Sequence, residues 1–286
     1  MDLLSLVLTL RPHSPTTAPV PVWWGRAAHA LLLRIVQQQD ATLSAALHDD
    51  PNALRPFTAS TLMGSFPQHA LDPQGVYTLR LTAMTEPVSA ALMAALQPGG
   101  ALQRGAVLDL DGHTLRVEDQ AWQEAQHPWA GNDTYQALSG RFLLGRAAPP
   151  RAIRMQFTAP TAFKTQERTM PLPLAEQVFR SLLERWNAFA PLAFPPETVR
   201  FAAECLAISR FDLQSRSIPL KQGGLRIGAV GSITYTALTY DRYWLSVLHT
   251  LAEFARYAAV GSGGSMGLGQ ARCLSSAEAA SNEDAV

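Results

Sequence analysis

Cysteine and lysine are scarce in this sequence, and long apolar runs are missing. The only cysteines, Cys205 and Cys273, lie far apart and have no Cys or His neighbour at metal-ligand spacing. Neither a disulfide framework nor a zinc site is indicated. No 18-residue apolar run occurs, and Met1 to Leu10 alternates like a strand before Arg11-Pro12 ends it. That excludes a spanning helix and a basic-then-apolar leader, so the expectation is a cytoplasmic protein without a membrane partner. Net charge is also lacking, with 23 basic and 23 acidic residues. Among the bases only Lys164 and Lys221 are lysines.

What is present is enough for ordinary cores: 286 residues, 47% hydrophobic and 16% charged. A chain this long exceeds the usual single domain, so two domains are expected, 1–146 and 147–274, followed by a disordered acidic tail, 275–286. The charges are unevenly divided. Residues 1–149 carry 9 basic and 12 acidic groups, a balance of −3, whereas 150–274 carry 14 and 8, a balance of +6. The second half is therefore the better phosphate-facing surface.

Periodicity predicts the same element order twice. Leu3 to Leu10 reads as a strand, Trp24 to Gln38 as a helix and Thr42 to Leu47 as a short helical turn leading into His48. Phe57 to Met63 and Val76 to Leu81 read as strands, Glu86 to Leu96 as a helix, and Asp111-Gly112 as a hairpin turn. The second half offers a strand at Ala152 to Phe157 and a helix at Leu174 to Phe189. A short helix near Thr198 and strands at Leu206 to Leu213 and Leu225 to Thr236 follow. A helix from Asp241 to Tyr257 and a last strand into Leu274 complete it. Two successive βαββαβ units are the simplest topology, an α+β chain of two tandem ferredoxin-like domains with open sheet faces. Gln120 to Pro150 reads as the connection between them.

The densest motif is Gly261-Ser262-Gly263-Gly264-Ser265-Met266-Gly267-Leu268-Gly269. Gly261, Gly263, Gly264, Gly267 and Gly269 permit positive φ and leave no side chains between a phosphate chain and the amides. A plain connection between helix and strand is the competing reading, with the loop at the surface in either case. No Lys-Ser or Lys-Thr follows, and the loop precedes a strand, so a nucleotide P-loop fits poorly.

Four segments carry a resemblance to a known family. They are Leu47-His48-Asp49 before Pro56-Phe57-Thr58, His127-Pro128-Trp129-Ala130-Gly131 with Thr134-Tyr135, Thr158 to Lys164, and Phe254-Ala255-Arg256-Tyr257 running into the glycine loop. Together they resemble the CRISPR repeat-RNA processing endoribonucleases of the repeat-associated mysterious protein superfamily. The resemblance implies cleavage of CRISPR repeat RNA without metal or cofactor, by attack of the ribose 2′-hydroxyl on the adjacent phosphate. Such cleavage needs a base, an acid and positive charge for the phosphorane. His48 matches the family's catalytic histidine in local context, and His29 lies in the first helix, where some relatives place theirs. Arg55 sits where relatives often carry a lysine; its guanidinium would stabilise charge and leave proton transfer to others. The tyrosine some relatives carry on the first helix is absent, since that region reads Leu31-Leu32-Leu33-Arg34.

Lys164, Arg168, Lys221 and Arg226 are the expected RNA-binding cations, each weighed against an ordinary solvated charge. Trp23 and Trp24 are weighed between base stacking and core. His127, beside Pro128 and Trp129, is expected to pack. The implied partner is repeat RNA or its processed guide, with other effector subunits and a monomer or homodimer as assembly states. A non-catalytic RNA-binding subunit of an effector complex, and a tandem ferredoxin-like sensor of a small ligand, are the alternative functions.

Overall fold

The computed structural model describes residues 1–14, 19–48, 54–165, 168–219 and 224–275. Contacts divide the chain into two compact units. One is Met1–Thr134 with Gly263–Gly267; the other is Tyr135–Ser262 with the chain from Leu268 on. The division falls before Tyr135, ahead of the boundary expected at 146.

The first unit runs β1 (Leu3–Pro12), α1 (Gly25–Gln39), α2 (Ala41–His48), β2 (Phe57–Ala59), β3 (Tyr77–Ala83), α3 (Glu86–Ala95), β4 (Val107–Leu110), β5 (His113–Ala121) and β6 (Gly131–Asp133). Its sheet has the order β2-β3-β1-β5-β4, with β6 also pairing β1. Alternation along β1 sends Leu4, Leu6, Leu8 and Leu10 to the core, where the α1 stripe Leu31, Leu32, Ile35 and Val36 meets them. Each such side chain contributes about 1.5–3 kcal/mol when fully buried. Asp40 divides α1 from α2. Its N–H closes α1 on Val36 O, and its Oδ1 accepts from the Leu43 N–H at 2.9 Å as a cap for α2. The β4–β5 turn has φ of 54° at Asp111 and 82° at Gly112, the left-handed pair that matches strand twist.

The opposite face of this sheet departs from expectation. Ser5, Arg80 and Thr82 are buried there. The Arg80 guanidinium lies 4.7 Å from the Trp129 ring centroid, and Ser5 Oγ donates to Trp129 O at 2.5 Å. The physical cause is β6, which adds to β1 and delivers the preceding Trp129 onto the face. Gln120 to Pro150 is therefore more than a connection. It holds β6 and the helix α4 (Tyr135–Leu143), whose Tyr135 packs at 5.0 Å on Trp186 and 5.8 Å on Phe254 in the second unit's core.

The second unit continues with β7 (Ala152–Thr161), β8 (Phe163–Thr165), β9 (Arg168–Met170), α5 (Ala175–Phe189), α6 (Glu197–Cys205), β10 (Leu206–Pro219), β11 (Leu225–Ala237), α7 (Arg242–Ala258) and β12 (Ala271–Cys273). Its sheet order β10-β11-β7-β12 places the second, third, first and fourth strands side by side, as β2-β3-β1-β5 does in the first unit. Both units are thus ferredoxin-like. Ile153, Met155, Phe157, Ile233 and Tyr235 are buried on the face that meets the helices; Tyr235 packs 5.9 Å from Phe179 and donates to Pro173 O at 2.5 Å. The strand expected to end at Leu213 runs on to Pro219, and the short helix near Thr198 becomes α6. Conversely β2 stops at Ala59, short of the expected Met63, which makes only an isolated bridge to Thr78.

Candidate functional site

The glycine loop between α7 and β12 is held at its base by the segment that ends β7. Val260 N–H donates to Gly269 O at 2.7 Å, Gly269 N–H to Pro160 O at 3.1 Å and Ser262 N–H to Ala162 O at 2.9 Å. From α5, Ser181 Oγ accepts from Gly261 N–H at 2.8 Å and Arg185 donates to Gly261 O at 2.6 Å. Burial pulls Arg185 down to about 10, against the opposing effect of Glu184, so it remains a cation at neutral pH.

The tip of the loop packs within the first unit. Trp23 Nε1 donates to Met266 O at 2.7 Å, and His29 Nδ1 meets Ser265 O at 3.1 Å. Gly267 bridges Ser60, just beyond β2, and Thr61 Oγ1 accepts from Trp24 N–H at 3.1 Å. The start of α1, the Phe57–Thr61 segment and the loop tip therefore form one junction. At Gly267, with φ +89°, an added Cβ would stand 2.9 Å from Thr61 N. At Gly25 it would stand 1.8 Å from Met266 O. This corrects the expectation of a surface loop: Gly261, Gly264, Gly267 and Gly269 are buried and Gly263 is half-buried. Close approach of the protein's own backbone accounts for several of these glycines.

His29 is half-buried at this junction, its ring 5.5 Å from Phe57. His48 ends α2, and its side chain lies outside the description. Arg55 Nη1 donates to Leu47 O, tying the end of α2 to the approach to β2. Helix C-terminal carbonyls favour a cation there. Trp24 is core, edge-on to His113 at 5.0 Å, so it presents no face to a base; Trp23 is half-buried. His127 Nδ1 accepts from Trp129 N–H at 3.1 Å.

The expected cations are distributed unevenly. Lys164 and Arg168 are exposed on the β8–β9 ribbon but on opposite faces, because Lys164 pairs with Thr169 and Arg168 with Thr165. Lys221 lies outside the described residues. Arg226 stands opposite Ile218, on the sheet face turned away from the core. That face also carries Arg154, Arg210, Arg216 and Arg272, which the sequence reading missed. Arg154 Nε donates to Thr234 Oγ1 at 3.2 Å and Arg272 Nε to Gln156 Oε1 at 3.0 Å across adjacent strands. The sequence signal was there, as Arg154-Met155-Gln156 and Arg210-Phe211-Asp212 alternate with period two. Among the described residues no group of three or more His, Cys, Asp or Glu could hold a metal ion, and no helix is long and apolar enough to cross a membrane.

Two ferredoxin-like units, the second closed by a glycine loop whose tip belongs to the first, define the class: a tandem ferredoxin-like chain with a glycine-rich loop before its last strand. Two models of one family match, the CRISPR Cas6 N-terminal domain over residues 3–84 and the CRISPR-associated endoribonuclease Cas6 over residues 155–271. Together they take in more than half of the sequence, and the chain belongs to the CRISPR-associated Cas6 family. A CRISPR-associated endoribonuclease Cas6 from Mycobacterium tuberculosis is 30% identical over 124 residues, 43% of this chain and 38% of that relative. That match spans well under half of the relative's length. A solved Cas6 product complex has a TM-score of 0.75 at 25% identity, over 96% of this chain and 100% of that one. A Cas6 substrate mimic complex scores 0.71 at 25% identity over 95% and 99%. Thermus thermophilus Cas6, 23% identical with a TM-score of 0.69 over 96% and 98%, shares the fold.

Proposed function

We propose that this chain cleaves CRISPR repeat RNA into guide RNAs without a divalent metal, the ribose 2′-hydroxyl attacking the adjacent phosphate to leave a 2′,3′-cyclic phosphate and a 5′-hydroxyl. The observation that carries this reading is the junction itself. The glycine-loop tip packs against α1 and Phe57–Thr61, in the same unit as His48 and Arg55. Proton transfer falls to His48, since imidazole is the side chain that exchanges a proton near neutral pH. Arg55 stabilises the phosphorane: a guanidinium has five N–H donors, so its bond to Leu47 O leaves donors for a phosphate oxygen.

Binding falls to the glycine loop and to the arginine face of the second sheet, with Arg216 exposed and Arg226 half-buried, supplemented by Lys164, Arg168 and Lys221. Collecting cations on one face gives a neutral chain a local positive potential, which is what a phosphate chain senses. A non-catalytic RNA-binding subunit is favoured by one observation. In the first helix Leu31 and Leu32 are core and Arg34 is engaged with Asp109 O at 2.7 Å, so no hydroxyl assists there. Incubating the protein with labelled repeat RNA in EDTA decides between them. Cleavage to a cyclic-phosphate product is expected; tight binding without cleavage establishes the second reading, and activity that needs added Mg²⁺ refutes the mechanism.

A further inference from the structure

We propose that His29 and Trp23 form a clasp that sets the conformation of the glycine loop, making His29 a positioning residue for RNA binding. This rests on the reading above that the loop meets RNA. The two side chains leave the same end of α1, and they take two successive loop carbonyls, Ser265 O at 3.1 Å and Met266 O at 2.7 Å. A carbonyl only accepts, so Nδ1 of His29 carries the proton of that bond, which fixes the ring's tautomer with the lone pair on Nε2. Indole Nε1 is a donor by constitution, so Trp23 fixes the second carbonyl irrespective of pH.

Drawing both carbonyls toward α1 turns the negative ends of two peptide dipoles away from the loop's other side. An anion approaching there is spared that repulsion. Two further features hold the arrangement in register. The His29 ring is seated 5.5 Å from Phe57, and Gly25 leaves room for Met266 O where a Cβ would stand at 1.8 Å. The loop is thus set before RNA arrives, and its ordering is not charged against binding.

The test compares full-length wild type, His29→Ala, His29→Asn and Trp23→Phe. Three quantities are read: hydrogen–deuterium exchange of peptides covering 262–268 without RNA, affinity for a non-cleavable 2′-deoxy repeat RNA, and single-turnover cleavage at saturating RNA. His29→Ala and Trp23→Phe should each speed exchange in the loop and weaken RNA binding by about tenfold, the effect of roughly one hydrogen bond. His29→Asn places an amide N–H where Nδ1 stands, and it should restore exchange, affinity and cleavage together although it cannot transfer a proton. Trp23→Phe keeps the packing ring, so its effect isolates the lost N–H. Unchanged exchange in both His29→Ala and Trp23→Phe overturns the clasp. Cleavage that is abolished alike in His29→Ala and His29→Asn, with affinity intact, makes His29 catalytic and overturns the positioning role. Faster exchange with unaltered affinity overturns the RNA-binding half of the proposal, and shows the fault to lie in the loop–RNA reading rather than in the clasp.

Discussion

Replacing Gly269 by alanine asks whether the loop's glycines serve the protein's own backbone. Gly269 has φ +63°, and an added Cβ would stand 1.9 Å from Val260 O. The left-handed conformation costs a non-glycine residue about 1–2 kcal/mol. The clash then forces Val260 away, weakening the bonds from Val260 N–H to Gly269 O and from Gly269 N–H to Pro160 O, at 2.7 and 3.1 Å. Each is worth roughly 0.5–1.5 kcal/mol net and the stiffer unfolded chain offsets about 0.4–1 kcal/mol, so Gly269→Ala should destabilise the second unit by about 1–4.5 kcal/mol. Gly224 is the control. It has φ +85° with nothing within 4 Å of an added Cβ among the described residues. Only the conformational cost remains there, offset by about 0.4–1 kcal/mol from the stiffer unfolded chain. Urea denaturation followed by tryptophan fluorescence, with midpoints compared at equal slope, measures both. Equal stability losses within about 0.5 kcal/mol would refute the packing argument. A Gly269→Ala protein of normal stability that fails to bind RNA would return that glycine to RNA contact alone.

Three further outcomes follow from the site and the core. His48→Ala should slow single-turnover cleavage by about 10²–10⁴ while RNA affinity stays within a few-fold; a fast His48→Ala enzyme would remove that histidine from the chemistry. Arg216→Ala should weaken RNA binding for any sequence and lower the slope of log affinity against log salt by about 0.7–1, whereas an unchanged slope would take the residue off the phosphate path. Burial holds His249 below its usual value of 6.5, opposed by the bond it donates to Pro150 O at 2.8 Å. The unfolded chain then takes the proton first, so stability is full above about pH 6.5 and falls as pH drops through the lowered folded value. Unfolding midpoints at about pH 7.5 and about pH 5.5 should differ more in wild type than in His249→Gln, and equal differences would refute the assignment.

Much of this protein was legible along the chain because the signals are local. The Leu4, Leu6, Leu8, Leu10 alternation, the apolar stripe of α1 and the Asp111-Gly112 turn each act within one element, where periodicity and turn chemistry are sufficient. The family segments are likewise contiguous, which is why the Cas6 family was legible without the fold.

Other features depend on which segments meet. β6 is three residues long, too short for a periodic signal, and it exists because β1 offers an edge to pair with. Whether Trp23 and Trp24 are core or surface was undetermined until Phe66 and His113 enclosed one and Met266 O engaged the other. Five arginines on one sheet face come from β7, β10, β11 and β12, and only strand pairing makes them neighbours. The glycines show the division most plainly. By itself the sequence determined that the 261–269 backbone can take positive φ and admit a close neighbour. That the neighbours of Gly267 and Gly269 are Thr61 and Val260 was decided by tertiary structure, because an absent side chain specifies a space and only packing specifies its occupant.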